Sequence, residues 1–436
     1  MPSDPPQPID RRAFVKSAVA IGGASALSAC LDMEANADSS SEPEFPHGPE
    51  DLASLPERQH AWNEFLVTDA NGDTVLPRHQ VLLSLSYTGS VPPTNDERET
   101  VESAFSTVER AFERGTGGEA GATFNDGLLF MFGYAPAYFA RFDASLPDDI
   151  DLPTPTAVLD ELDEPTDRAD DADALLTLNS DYGSIPLAVE EALFGEQDTL
   201  NGIEMEAGIG DVFSVVDRRT GVVGRGLPAE KIDHDAIDDD APLSMGYKSG
   251  YQDTNPAEDR VTVREGPFAS GTTQLSSRLG IDLDAWYDLD ADARVTQMFS
   301  TAHTAEEVGE TGENLGGQSG VTEEMAEDLE GEADDHGRLG HAQKTARARD
   351  DDFDPQILRR SEGVGTSPDY DAGMNFNSIQ RGMESFIEAR KAMDDLGGAD
   401  AHHSGIVDFL DVERRATYLI PPRSLRALPG PRPDRE

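Results

Sequence analysis

The 436-residue chain has one cysteine, Cys30, so no disulfide can form within it. Lysine is scarce, standing only at Lys16, Lys231, Lys248, Lys344 and Lys391. Positive charge as a whole is short: 34 Lys+Arg face 86 Asp+Glu, a net charge of −52. So acidic a surface excludes nucleic acid as a partner, because phosphate binding needs a basic face. It fits a halophilic chain, since salt screens the self-repulsion that such charge imposes. The apolar run near the N terminus is too short to span a bilayer as a mature anchor. The length suffices for two to three domains with a sizeable core.

That N-terminal run is still informative. "DRRAFVKSAVAIGGASALSAC" places Arg11 and Arg12 before Phe14 and Lys16 and ends at Cys30. The pattern looks like a twin-arginine export signal. Leu27-Ser28-Ala29-Cys30 resembles a lipoprotein processing box, which implies lipidation of Cys30 and anchoring on the outer face of the cell membrane. Residues 1–30 are therefore expected to be a signal. Residues 31–75 are expected to be a flexible acidic tether.

From residue 76 the pattern becomes that of a folded chain. "HQVLLSLSYT" (79–88) reads as a strand. "TNDERETVESAFSTVERAFER" (94–114) reads as a helix, with Thr94 and Glu97 spaced as a capping box and Val101, Phe105, Val108 and Phe112 on one face. Strands at 127–133, 174–180 and 211–218 and helices at 135–142 and 185–194 complete the order of a split βαβ, or ferredoxin-like, unit. Strand signals at 271–283, 373–380 and 415–422 and helix signals at 284–300 and 381–396 repeat the idea. The expectation is α+β: tandem ferredoxin-like domains with antiparallel sheets, at 76–220 and 221–425, followed by a tail at 426–436. The acidic runs at 160–173 and 323–335 read as solvated loops.

One stretch stands out in so acidic a chain: "DDHGRLGHAQKTARARDDD" (334–352) gathers Arg338, Lys344, Arg347 and Arg349 around His341. A basic cluster there suits something anionic. Several segments, in order, resemble the dye-decolourising (DyP-type) haem peroxidases, with this chain a divergent, haloarchaeal-like, exported member. They are "LLFMFGYAPAYFARF", "APLSMGYKSGYQDT", "GTTQLSSRLGIDLDAWYDLDADAR", "HAQKTARARDDDFDPQILRRSEG", "GMNFNSIQRGMESF" and "TYLIPP". The resemblance covers nearly all of the chain beyond residue 75.

It implies haem b as cofactor, with His341 as the proximal iron ligand and His336 as the competitor. Lys344, Arg347 or Arg349 would meet a haem propionate. Arg359 falls at the family's distal arginine, with Arg360 the alternative register. The implied reaction reduces hydrogen peroxide and oxidises an organic electron donor. Trp286 and Tyr287 are candidate electron relays as well as core residues. A homo-oligomer is compatible with the resemblance.

One departure is evident. Where the family carries its distal Asp, this chain has Ser249, which lacks an accessible titration near neutral pH. Asp253 is the nearest substitute acid. The alternative function is therefore a non-catalytic haem-binding or sensor protein on the same fold. A third is a cofactor-free structural protein at the cell surface.

Overall fold

The computed structural model describes residues 45–433 except 116–123, 196, 224–236, 239–240, 243, 248–253, 317–318, 324–326, 362–363, 366, 371 and 395–404. Eleven strands are formed among the described residues: β1 His79–Tyr87, β2 Leu129–Tyr134, β3 Ala174–Ser180, β4 Thr199–Leu200, β5 Ile203–Glu204, β6 Phe213–Val222, β7 Thr272–Ile281, β8 Leu358–Arg359, β9 Val364–Gly365, β10 Ala372–Gln380 and β11 Leu410–Ile420. The helices that bear on the site are α1 Asn95–Ala111, α2 Ser184–Phe194, α3 Ala291–Met298, α4 Leu329–His336, α5 His341–Arg347 and α6 Met383–Asp394. No described helix is long and apolar enough to cross a membrane.

The strands of the first half lie in the order β2-β3-β1-β6 and those of the second in the order β11-β7-β10-β8, all antiparallel. Each is the strand order of a ferredoxin-like unit. The halves share one sheet. β11 pairs with β2, and β6 reaches β10 through β9, so that β7-β11-β2-β3-β1-β6-β9-β10 closes on itself. Closure removes the edges along which an antiparallel sheet would otherwise aggregate.

Both faces of β1, β2 and β3 are buried, and their alternation separates two cores. Val81, Leu83, Leu85, Phe130, Phe132, Leu176 and Leu178 point outward, beneath α1 and α2. There they meet Val101, Phe105 and Val108 of α1, at the expected one-face spacing. A fully buried side chain such as Phe105 contributes about 1.5–3 kcal/mol by leaving water. Thr94 and Glu97 form the capping box that starts α1. On the inner face, Leu82, Leu129, Met131, Leu175, Ile379 and Tyr418 pack together with Leu358 of β8. α6 covers the outer face of the second half through Met383 and Phe386, which meet Leu275 and Phe376.

Two sequence expectations are corrected. The supposed tether to residue 75 is packed from Phe45 on: Trp62, Leu66 and Val67 are buried, and Trp62 and Leu66 plug the inner core. Phe45 packs on the outer core, and the apolar residues of "HAWNEFLV" supply the burial that a tether lacks. The supposed tail at 426–436 is likewise anchored. Arg426 is 1% exposed and donates to Glu109 at 2.6 Å and to Glu102 at 2.8 Å, and Leu428 is fully buried. Cys30 and the export signal lie outside the described residues.

Candidate functional site

His341 opens α5, and two glycines fix where it stands. A Cβ at Gly340 would lie 2.2 Å from the Phe299 carbonyl oxygen, so only glycine lets the chain pass that close. The Gly340 N–H donates to Gln343 Oε1 at 2.9 Å, and Gln343 N–H donates to the Phe299 carbonyl at 3.3 Å. These bonds start α5 against the end of α3. From the other side comes Gly405, at φ +80°, a conformation that disfavours any Cβ. A Cβ there would sit 3.3 Å from the His341 Cα and 3.4 Å from Lys344 Cδ.

The imidazole is held neutral. Burial pushes the His341 pKa down to about 3, and the charges of Arg359, Lys344 and Arg390 add to that. Its Nδ1 is buried with no hydrogen-bond partner among the described residues. Lys344 is buried one turn along α5, its Nζ 3.8 Å from Asp394. Burial holds that amine below the usual lysine range; Arg390 adds to the effect, while Asp394 and Asp408 oppose it. Arg390 itself pairs with Asp394 on α6, which packs against α5.

Arg359 enters from the sheet. On β8, Leu358 points into the inner core, so its neighbour Arg359 projects from the opposite face. Its N–H donates to Asn255 Oδ1 at 3.0 Å and its Nη2 to the Thr254 carbonyl at 3.4 Å. The guanidinium is thereby held against the chain that follows residues 248–253. Across the strand pair from Arg359, Ser378 keeps a buried hydroxyl with no partner among the described residues.

Arg360 turns the other way. It is 3% exposed, donates to Glu258 at 2.8 Å and to Asn63 Oδ1 at 2.8 Å, and lies over the Trp62 ring. That buried pair occupies its guanidinium.

The sequence candidates thus separate. The structure brings His341, Lys344 and Arg359 together and adds Arg390, which sequence reading missed; its signal was the i,i+4 pairing with Asp394 on α6. Arg347 faces outward to exposed Glu330 at 3.3 Å, and Arg349 donates to the Phe353 carbonyl at 2.9 Å and stacks over that ring. His336 is half exposed at the end of α4, 3.7 Å from Glu332. Ser249 and Asp253 lie outside the described residues, as do His402 and His403. Trp286 and Tyr287 are buried core, bonded to the carbonyls of Met245 and Ser244. His60, expected near the tether, is fully buried, with Nε2 2.8 Å from Thr262 Oγ1.

No cluster of three or more His, Cys, Asp or Glu suited to a metal occurs among the described residues. A porphyrin iron, however, needs only one protein ligand on its proximal side. A neutral imidazole with an unsatisfied buried nitrogen, in the field of the cations Lys344, Arg390 and Arg359, fits that requirement.

A family model described as "Family of unknown function (DUF7405)" matches residues 77–422. No curated protein matches the chain. Among solved structures, the chain is similar to a dye-decolorizing protein from V. cholerae, at 15% identity and a TM-score of 0.51, over 84% of this chain and 98% of that one. It is also similar to a variant of DypB from Rhodococcus jostii RHA1 in complex with heme, at 16% identity and a TM-score of 0.49, over 84% and 97% of the two chains. The encapsulated DyP-type peroxidase from Mycobacterium smegmatis follows at 12% identity and a TM-score of 0.49, over 85% and 100%. At such identity the likeness is one of fold.

Proposed function

We propose that this chain, which belongs to the DUF7405 family, binds haem b through His341 and reduces hydrogen peroxide at the expense of an organic electron donor. The observation that carries the reading is the neutral imidazole of His341, with its buried, orphaned Nδ1, in the field of Arg359. The α+β barrel shared with the dye-decolorizing protein from V. cholerae supports it as a scaffold.

When bound, haem supplies an iron centre able to take electrons from a donor and pass them to peroxide. The chain's own residues do the rest. His341 is ready to coordinate without first losing a proton. Lys344 and Arg390 offer cations to the propionates. Arg359 supplies a fixed positive charge for an oxygen that gains negative charge as the peroxide O–O bond breaks. Ser249 cannot take up the proton that peroxide must release, so turnover is slow or relies on Asp253 or a water.

The same serine favours a second reading, a haem-binding or sensor protein with no useful turnover. Peroxide mixed rapidly with the haem-loaded ferric protein separates the two. A change in the haem spectrum within seconds supports the enzyme, and its absence the sensor. Placement belongs to the proposal as well: export by the twin-arginine route, a lipid anchor at Cys30 on the outer membrane face, and a salt-rich setting matched to the −52 charge.

Titration of the purified protein with haem in high salt tests the central claim. The wild type is expected to give a saturable Soret shift, and His341→Ala to lose it. A wild type without any shift, or a His341→Ala variant with an unchanged spectrum, removes the reading.

A further inference from the structure

A second feature lies apart from His341. An open cleft of about 550 Å³ is lined by Arg58, Arg264, Asp259, Thr262 and Ser270, with Glu57 on its wall. It is large enough for a small organic molecule. Its arginines are unusual in a chain with 86 acidic residues and 34 basic ones. Many other arginines are ion-paired, among them Arg141 with Asp173, Arg219 with Asp170 and Arg423 with Glu109. The guanidiniums of Arg58 and Arg264 have neither an ion pair nor a hydrogen bond among the described residues.

More positive charge backs the cleft. Arg381 donates to the carbonyls of Thr262 and Arg260, and burial together with the charges of Arg264 and Arg260 lowers its pKa. The guanidiniums therefore repel one another at a place where one carboxylate more would relieve them. The carboxylate of Glu57 accepts from Ser424 N–H and hydroxyl and so is already engaged. The wall is rigid. Val263 N–H donates to the Gly271 carbonyl and Ser270 N–H to the Val263 carbonyl, each at 2.8 Å, and buried His60 supports Thr262 from behind.

We propose that this cleft binds a small organic or inorganic oxyanion of charge two or more, carboxylate- or phosphate-bearing, gripped by the forks of Arg58 and Arg264. Two guanidiniums with free donors can each meet a pair of oxygens, on two carboxylates of one molecule or on a single phosphate. Asp259 and Glu57 on the rim offset the net charge of the two arginines, so binding rests on direct contacts of the guanidinium forks with the anion's oxygens. The site is independent of the haem reading, since none of its lining residues takes part in the cluster around His341.

Isothermal titration of the full chain with sodium citrate, and separately with inorganic phosphate, at constant ionic strength in sodium chloride, tests this. Saturable one-to-one binding of either anion is expected; citrate alone assigns a carboxylate ligand, and phosphate alone a phosphate one. Arg264→Gln and Arg58→Gln should each weaken it by about tenfold or more. Arg264→Lys should recover only part, because a point charge lacks the fork. Arg264 is exposed and Arg58 half-buried, and circular dichroism of each variant checks that the fold is kept. Heats that never saturate with either anion, or binding that both glutamine variants leave unchanged, overturn the proposal.

Discussion

Arg360 and Glu258 form an ion pair at 2.8 Å with their side chains 3% and 10% exposed, while Arg359, one residue earlier, projects from the opposite face of the same strand. Adjacent arginines at the end of β8 thus have separate fates: one is locked into the structure, and the other has its charge directed at His341.

The stability of variants should reveal this division. Arg360→Leu leaves a buried carboxylate without its partner, and denaturant unfolding is expected to show a loss of about 3–5 kcal/mol. Arg359→Leu should cost about 1 kcal/mol or less. Equal losses for the two would contradict the assignment of faces.

In haem-loaded protein the order should reverse. Arg359→Leu is expected to slow the reaction with peroxide about 10²–10³-fold, as loss of a charge-stabilising donor does elsewhere. Stopped-flow spectra at several peroxide concentrations measure it directly.

Ser249→Asp should work in the other direction, raising that rate about 10²-fold or more by restoring a proton acceptor. An unchanged rate, with haem still bound, would mean that position 249 does not reach the peroxide.

Acid should destabilise the fold partly through His60, whose pKa burial lowers to about 3, with Arg58 and Arg360 adding to it. The unfolded chain takes up this proton near pH 6.5 and the folded one does not until about pH 3. Stability therefore falls as pH drops through that window, by about 1.4 kcal/mol per pH unit for this one site. Comparing the unfolding free energies of wild type and His60→Asn between pH 7 and 4.5 isolates the effect: the gap between them should narrow on acidification.

A chain ending at residue 425 should be destabilised by about 2–3 kcal/mol, because buried Leu428 is removed and Glu109 keeps only Arg423 of its two arginines. Thermal unfolding of the shortened chain is the measurement.

Much of the fold was legible because it is written locally. The Thr94/Glu97 box and the spacing of Val101, Phe105 and Val108 specify α1 without help from the rest of the chain. The alternation along 79–88 and 174–180 likewise specifies strands. What escaped was long-range. Arg426 sits in a proline-rich tail, and only Glu102 and Glu109, more than 300 residues earlier, make its burial favourable. Trp62 was hidden by polar neighbours, although its ring closes the inner core. At the site, the basic cluster drew attention to His341 and the family resemblance gave it a role, yet the basic residues nearest in sequence were poor guides. Arg347 and Arg349 lie close along the chain but find partners of their own on Glu330 and Phe353. Arg390 lies far along the chain and arrives by helix packing.

Closure of the barrel rests on thin stitching. Among the described residues, β11 meets β2 only at Leu419 and Tyr134, and β6 meets β9 only at Gly221–Gly365 and Val222–Val364. Within each half, by contrast, β1 and β6 or β7 and β11 are zipped along most of their length. Pulled from its ends, or opened by thermal fluctuation, the ring should part at these two joints first, into a pair of four-stranded leaves that each keep their own helices.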